Sequence, residues 1–112
     1  MMIRRETEQD FPALYNLVKA AFQTAKVSNG DEQEFVNRLR SGGGYIPEIA
    51  LAAEDDGVLI GHIMLTRIKI AGDEHSYETL LLAPLSVILE HRNRGVGACL
   101  VEESFRDRKS VV

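Results

Sequence analysis

The stretch LLLAPLSVILEHRNRGVGACLVEESF, residues 80–105, predicts a strand, a sharp turn and the start of a helix. Residues 80–89 are almost wholly apolar, which is typical of a buried strand. Beyond the turn, the residues that recur at helical spacing and predict one buried helix face are Val96, Leu100, Val101, Ser104 and Phe105. The turn itself, residues 92–98, is rich in arginine and glycine and lies between the predicted strand and the predicted helix.

This junction has the chemistry of an anion-binding site. A helix start leaves backbone N–H groups without partners and carries a partial positive charge. Gly95 and Gly97 let the backbone approach a ligand closely because they have no Cβ. Arg92 and Arg94 add positive charge on planar guanidinium groups that match phosphate oxygens. The pattern predicts a pyrophosphate site, and an ordinary tight turn with two surface arginines stays open as the alternative.

Other phosphate-binding motifs fit the sequence less well. A dinucleotide-binding fingerprint needs a third glycine at the position where Leu100 stands. A P-loop needs a lysine followed by serine or threonine after its last glycine, and the turn has neither. The run Gly42-Gly43-Gly44 is a weak phosphate loop because Pro47, rather than a helix start, follows it.

The pattern Arg92-x-x-Gly95-x-Gly97, preceded by an apolar strand, resembles the acetyl-CoA signature of the GNAT superfamily of N-acetyltransferases. The resemblance covers nearly the whole chain, as the N-terminal part of that fold. It implies an α/β architecture with a mixed sheet and the element order β-α-α-β-β-β-α. It also implies a single domain over residues 1–112 that lacks the strand, helix and hairpin with which the family fold usually ends, as a shortened protein or a fragment would.

The resemblance further implies which residues would hold acetyl-CoA. Backbone groups of Leu85, Ser86 and Val87 would pair with the pantetheine arm like an added strand. A backbone N–H near Val87 would polarise the acetyl carbonyl. The pyrophosphate would be held by the turn and the helix start, which comprise Arg92, Asn93, Arg94, Gly95, Val96, Gly97 and Ala98. The implied reaction is direct acetyl transfer to an amine of a small molecule or a protein, without a covalent enzyme intermediate.

The sequence assigns no catalytic residue. An amine nucleophile must lose a proton, so a general base is expected. The candidates are Glu78, Glu90, His62 and His91, although a structural or solvated role is the better explanation of each one. In many members of the family a tyrosine protonates the departing thiolate. That tyrosine belongs to the C-terminal part of the family fold, which the resemblance does not include.

Composition narrows the class of protein. The 112 residues are 45% hydrophobic and 27% charged, which is typical of one globular domain. A net charge of −4 argues against general nucleic-acid binding, and no apolar run approaches the roughly 20 residues of a membrane span. Met1 to Arg5 lack the apolar core of a signal peptide, and a single cysteine excludes an internal disulfide, so we expect a cytoplasmic protein. No metal is expected, because the histidines and Cys99 lack ligand spacing.

The rest of the chain predicts the remaining elements. A strand is expected at Met2–Arg5, then a helix capped by Thr7 and ending near residues 23–26. A second helix is expected at residues 31–41, with Phe35, Val36 and Leu39 as its apolar contacts. Strands are expected at residues 49–54, 58–70 and 77–89, with a hairpin turn at residues 55–57 and a bulge at Gly61.

Two other functional classes stay open. The chain could be a catalytically silent domain that binds CoA or a partner protein, or an unrelated α+β domain with a fortuitous turn. Strand 77–89 would have an uncovered edge, from which we expect self-association into a homodimer. The acceptor amine is not determined by the sequence, although the loop at residues 22–31 is where the resemblance implies specificity.

Overall fold

A computed structural model describes residues 1–23, 30–72, 76–82 and 85–111. The elements are β1 (Met2–Arg5), α1 (Phe11–Phe22), α2 (Glu32–Ser41), β2 (Tyr45–Asp55), β3 (Val58–Ala71), β4 (Ser76–Leu82), β5 (Ser86–Val87) and α3 (Val96–Val111). Short 3-10 turns, Glu8–Asp10 and Leu89–His91, precede α1 and α3. The predicted order is confirmed, with the strand before α3 present as two pieces.

All the described strands belong to one antiparallel sheet. Its order is β1-β2-β3-β4, and β5 pairs with β3 beyond β4. Leu65 lies opposite Leu82, and His62 lies opposite Ser86. Between these two pairs, β3 advances by three residues, whereas the segment from β4 to β5 advances by four. The prediction of one continuous strand over residues 77–89 is therefore wrong. The register shifts by one residue between β4 and β5, and Leu89 lies in a 3-10 turn with 59% of its surface exposed.

The hairpin between β2 and β3 is built as predicted. Asp56 has φ 50° and Gly57 has φ 79°, which are the two left-handed positions of a type I′ turn. The predicted bulge lies next to Gly61, because Ala53 pairs with Gly61 whereas Glu54 pairs with Leu59. The strand extends to Tyr45 at its start, four residues earlier than expected from the sequence.

Helices cover both faces of the sheet. On one face, α3 packs Val96 and Leu100 against Leu51, Ala53 and Ile63. On the other face, the side chains that pack between α1, α2 and the sheet are Leu14, Leu17, Val18, Val36, Ala50, Ala52 and Met64. Each large apolar side chain buried in this way contributes about 1.5–3 kcal/mol to folding.

Two aromatic residues lie outside the faces predicted for them. Phe105 is 42% exposed on α3, although Val96, Leu100 and Ser104 of the same predicted face are buried. Phe35 is 37% exposed on α2, where the Arg38 guanidinium carbon lies 5.8 Å from its ring centroid. Gln33 and Val36 are the buried residues of that helix.

The entry to α1 is fixed by a capping arrangement. The backbone N–H of Thr7 donates to Asp10 Oδ2 at 2.8 Å, and the Thr7 hydroxyl donates to the same oxygen at 3.0 Å. The cap therefore initiates the 3-10 turn, and α1 itself begins at Phe11 with Pro12 in its first turn. The helix ends at Phe22, one residue before the predicted range.

Candidate functional site

The arginine–glycine turn leads directly into α3. Asn93 has φ 66° and Gly95 has φ 80°, so the chain turns through two left-handed positions. The N–H of Cys99 donates to the Gly95 carbonyl at 3.0 Å. The N–H groups at residues 96–98 precede that bond and have no acceptor within the helix. The turn therefore presents donors at the positive end of a helix, as predicted.

Gly95 leaves open space at this helix start, whereas Gly97 lies close to the residues of β5. A Cβ at Gly95 would have no heavy atom within 4 Å. A Cβ at Gly97 would point towards β5, at 3.6 Å from Leu85 Cδ2 and 3.8 Å from Val87 Cγ2. Asn93 and Arg94 are exposed beside them. Backbone N–H groups and a guanidinium are a donor set that suits phosphate oxygens, so the residues present fit a pyrophosphate.

Arg92 has a second, structural task. Its Nε donates to the Val87 carbonyl at 3.0 Å, and its Nη2 donates to the Ala21 carbonyl at 2.6 Å. The side chain thus ties β5 to the last turn of α1, where a cation is also favoured by the helix dipole. Sequence reasoning anticipated only a contact with the ligand, because Ala21 is far from Arg92 in the chain.

A cleft of about 330 Å³ opens between the end of α1 and β5. Its lining comprises Ala21, Phe22, Leu85, Ser86, Val87 and Arg92. The structure therefore brings the three predicted strand residues together with the C-terminal end of α1. The turn residues 93–98 lie at the start of α3 and do not line this cleft.

A buried charged cluster, which the sequence did not reveal, lies on the sheet face that is covered by α1 and α2. The Glu6 and His62 side chains are fully buried, and Arg40 is 8% exposed. Arg40 donates from Nε to Glu6 Oε2 at 2.9 Å and from Nη2 to Oε1 at 3.0 Å. Tyr45 Oη donates to Oε2 at 2.6 Å, and His62 Nε2 lies 2.7 Å from Oε1. The Arg40 guanidinium also stacks over the Phe11 ring at 4.0 Å.

This cluster keeps Glu6 ionised. Burial raises the pKa of the carboxyl, but the hydrogen bonds from His62, Arg40 and Tyr45 and the charge of the partners lower it to about 2. Burial and the adjacent carboxylate raise the pKa of Tyr45, so its phenol stays protonated. An ionised carboxylate only accepts hydrogen bonds, so His62 Nε2 carries a proton and donates it to Glu6. Whenever the ring carries no second proton, its Nδ1 atom is an acceptor.

The candidate bases differ in their surroundings. His62 is in the buried cluster, which its position within the apolar run of β3 could have signalled. His91 Nε2 lies 4.0 Å from Asp55 Oδ2 at the hairpin, and His91 does not line the cleft. The side chains of Glu78 and Glu90 lie outside the described residues. The sequence did not single out Glu6, because it follows Arg4 and Arg5 in a charged run that is typical of an exposed segment.

A profile of the Acetyltransferase (GNAT) domain family matches residues 2–110. The chain belongs to the GNAT acetyltransferase family.

Solved structures of GNAT proteins share the fold. A GNAT family acetyltransferase from Brucella melitensis, crystallised with acetyl-CoA, is 31% identical, with a TM-score of 0.86 over 99% of this chain and 70% of that one. The GNAT family N-acetyltransferase YhbS from Escherichia coli, crystallised with CoA, is 27% identical, with a TM-score of 0.76 over 94% of this chain and 54% of that one.

A curated relative is the uncharacterized N-acetyltransferase YjhQ of Escherichia coli K12. It is 40% identical over 55 residues, which are 49% of this GNAT chain and 30% of that protein. The chain thus matches under a third of the length of this relative.

Two features are absent from the described residues. None of their helices combines the length and the apolar character needed to cross a bilayer. The same residues contain no group of three or more histidine, cysteine, aspartate or glutamate side chains arranged to hold a metal ion.

Proposed function

We propose that this GNAT chain transfers the acetyl group of acetyl-CoA to a primary amine of a small molecule or a protein. The observation that carries the proposal is the helix start that is open at Gly95 and lies against β5 at Gly97, within a chain of this family. The acetyl-CoA and CoA complexes of the two bacterial relatives support CoA chemistry for this chain. We also propose a cytoplasmic location.

The proposed site uses the backbone more than side chains. We assign the pyrophosphate to the N–H groups from Asn93 to Ala98, with Arg94 as the exposed cation. The backbone of residues 85–87 pairs with the pantetheine arm, and an N–H near Val87 polarises the thioester carbonyl. Arg92 holds the cleft walls together through Val87 and Ala21 and adds positive charge behind the turn.

We assign the acceptor amine to the cleft between α1 and β5. The cleft lies alongside the strand to which the pantetheine is assigned, so an amine there would reach the thioester carbon. Ala21 and Phe22 contribute the wall opposite β5. The reaction is a direct attack of the neutral amine on the thioester, and proximity in the cleft lowers the barrier to it.

Calorimetric titration with acetyl-CoA tests the site. Arg94→Glu reverses the exposed charge beside the helix start, and we expect its affinity to fall by at least about tenfold, since a charge-assisted hydrogen bond contributes about 1.5–3 kcal/mol. Arg5→Glu is the matched control, because it makes the same charge change on exposed β1. Equal affinities in the wild type and both variants would contradict the proposed site.

Turnover separates the enzyme from a silent CoA-binding domain. CoA thiol release is followed with acetyl-CoA and a panel of primary amines, comprising a polyamine, an aminoglycoside and a peptide with a free N-terminus. Amine-dependent release supports the acetyltransferase. Saturable binding without release from any amine would contradict it and favour the binding domain.

A further inference from the structure

Two buried residues, each with an unpartnered polar atom, lie opposite each other across β3 and β5. His62 lies directly opposite Ser86 in the antiparallel pairing, and the two residues are 0% and 2% exposed. Among the residues that the structure describes, neither His62 Nδ1 nor Ser86 Oγ has a hydrogen-bond partner. A buried polar group left unpaired costs about 1–3 kcal/mol, so two of them at one place require a functional or structural reason.

The two side chains share one face of the sheet. Directly opposite residues of an antiparallel pair project to the same side, with Cβ atoms about 4.5–5.5 Å apart. The neighbouring pair, Gly61 and Val87, faces α3, because a Cβ at Gly61 would lie 3.0 Å from Leu100 Cδ1. His62 and Ser86 therefore face α1, where a change of the Ser86 side-chain rotamer or a single water would connect them.

The pair connects two features that are otherwise separate. Ser86 lines the cleft between α1 and β5 to which the acceptor amine is assigned. His62 Nε2 is bonded to Glu6, whose carboxylate is held by Arg40 and Tyr45. The Ser86 hydroxyl, buried beside the cleft, is thus followed by the imidazole of His62 and then by a buried carboxylate, which is the order of groups in an activated proton acceptor.

We propose that Ser86 and His62 form a proton relay that takes the proton of the acceptor ammonium out of the cleft. The proposal rests on the proposed acetyltransferase function. We assign the catalytic role to Ser86, because it is the member of the pair that lines the acceptor cleft. His62 acts through Ser86 and is a positioning residue, held in the required tautomer by Glu6.

The relay balances as follows. The ammonium gives one proton to Ser86 Oγ, while the hydroxyl proton of Ser86 passes to His62 Nδ1. The amine nitrogen then forms a bond to the thioester carbon, the carbon–sulfur bond breaks, and the nitrogen's second proton goes to the departing thiolate. The products are an acetamide, the free thiol of CoA and one proton on His62, which returns to solvent through Ser86 once the product leaves.

The surroundings of His62 suit a temporary acceptor. The Glu6 carboxylate, 2.7 Å from Nε2, stabilises the imidazolium, whereas Arg40 on the same carboxylate opposes a lasting positive charge. The Tyr45 phenol donates to Glu6 and adds no charge. Arg92 faces the cleft side and, like Arg40, favours release of the proton.

The test compares Ser86→Ala and His62→Gln with the wild type, using acetyl-CoA and the best amine of the panel. Each variant should lose about 100-fold in kcat/KM near pH 7, at the lower end of general-base contributions. The loss should shrink as the pH approaches the amine pKa of about 10, since the amine is then neutral in solution. Thr66→Val is the matched control, because it removes an unpartnered buried hydroxyl from β3, the strand that carries His62. Its kcat/KM should equal that of the wild type at every pH.

Each outcome is informative. Variants within about twofold of the wild type, or a loss that stays constant with pH, overturn the relay while wild-type turnover preserves the proposed function. No turnover by the wild type with any amine overturns both. Acetyl-CoA affinity, measured by calorimetry, reports whether His62→Gln is folded, and if it is not, the pH dependence of Ser86→Ala decides.

Discussion

Glu6 is a charged residue that is buried because its partners use its full accepting capacity. Both carboxylate oxygens accept from Arg40, while Tyr45 and His62 add one contact each. Transferring the charges from water is costly, and such a cluster adds little net stability compared with apolar packing. Removing one member, however, leaves the others buried without compensation.

Glu6→Gln should therefore be strongly destabilising. The amide leaves the Arg40 guanidinium, 8% exposed, without a counter-charge, and we expect a loss of about 3–5 kcal/mol in the free energy of unfolding. Urea denaturation near neutral pH measures this loss. Glu54→Gln is the control, because its bridge to Arg4 at 3.3 Å is partly exposed and should contribute under about 1 kcal/mol. Similar losses in the two variants would be inconsistent with this account.

Acid should destabilise the protein through the same residue. The pKa of Glu6 is lowered from 4.5 to about 2 in the folded state, so its contribution is complete above pH 4.5 and is lost as the pH falls through about 2. The difference corresponds to at most about 3 kcal/mol. The free energy of unfolding should therefore change less with pH over this range in Glu6→Gln than in the wild type. Part of the slope should remain, because the hydrogen bond from Arg4 also lowers the pKa of Asp10. Identical slopes would exclude Glu6 as the titrating group.

At the scale of elements, the connection from α2 to β2 depends on one glycine. A Cβ at Gly44 would overlap the Arg67 carbonyl oxygen and lie 2.9 Å from the carbonyl carbon, whereas a Cβ at Gly43 would meet nothing within 4 Å. The Gly44 carbonyl also accepts from the Arg67 N–H at 2.9 Å. The triple glycine therefore ends α2 and also brings the chain against β3.

Gly44→Ala should lower the free energy of unfolding by about 1–3 kcal/mol, because the backbone of β2 or β3 must move to admit the methyl group. Gly43→Ala, one residue away, should be neutral or stabilising by about 0.4–1 kcal/mol. Urea denaturation of the two variants distinguishes them. The interpretation fails if Ala is equally tolerated at both positions.

Local sequence determines the boundaries of some elements and leaves others to pairing across the sheet. The extent of β1, the end of α2 and the Asp56–Gly57 turn follow from alternation, glycines and turn chemistry, which act over a few residues. The break between β4 and β5 does not, because apolar residues continue through it and only pairing with β3 fixes the register. Phe105 fits a helical stripe, but no described element covers it there.

Across the whole molecule, the candidate site combines local and distant contributions. The helix start at Gly95 and Gly97 was predictable, because its residues are consecutive. The Arg92 bond to Ala21, the His62–Ser86 pair and the Glu6 cluster were not, because each joins segments that only the sheet brings together. The homodimer stays a prediction, and β4 is the terminal strand of the described sheet at which a second copy would add.

The Glu6 cluster also bears on how the chain folds during synthesis. Glu6 is translated early, but its partners Arg40, Tyr45 and His62 follow 34, 39 and 56 residues later. Until β3 has been translated, the Glu6 carboxylate lacks the hydrogen bond from His62, and β2 lacks the strand that pairs with its other edge. We therefore expect the N-terminal segment to stay accessible to proteases and chaperones until β3 has been translated and the sheet can form around Glu6.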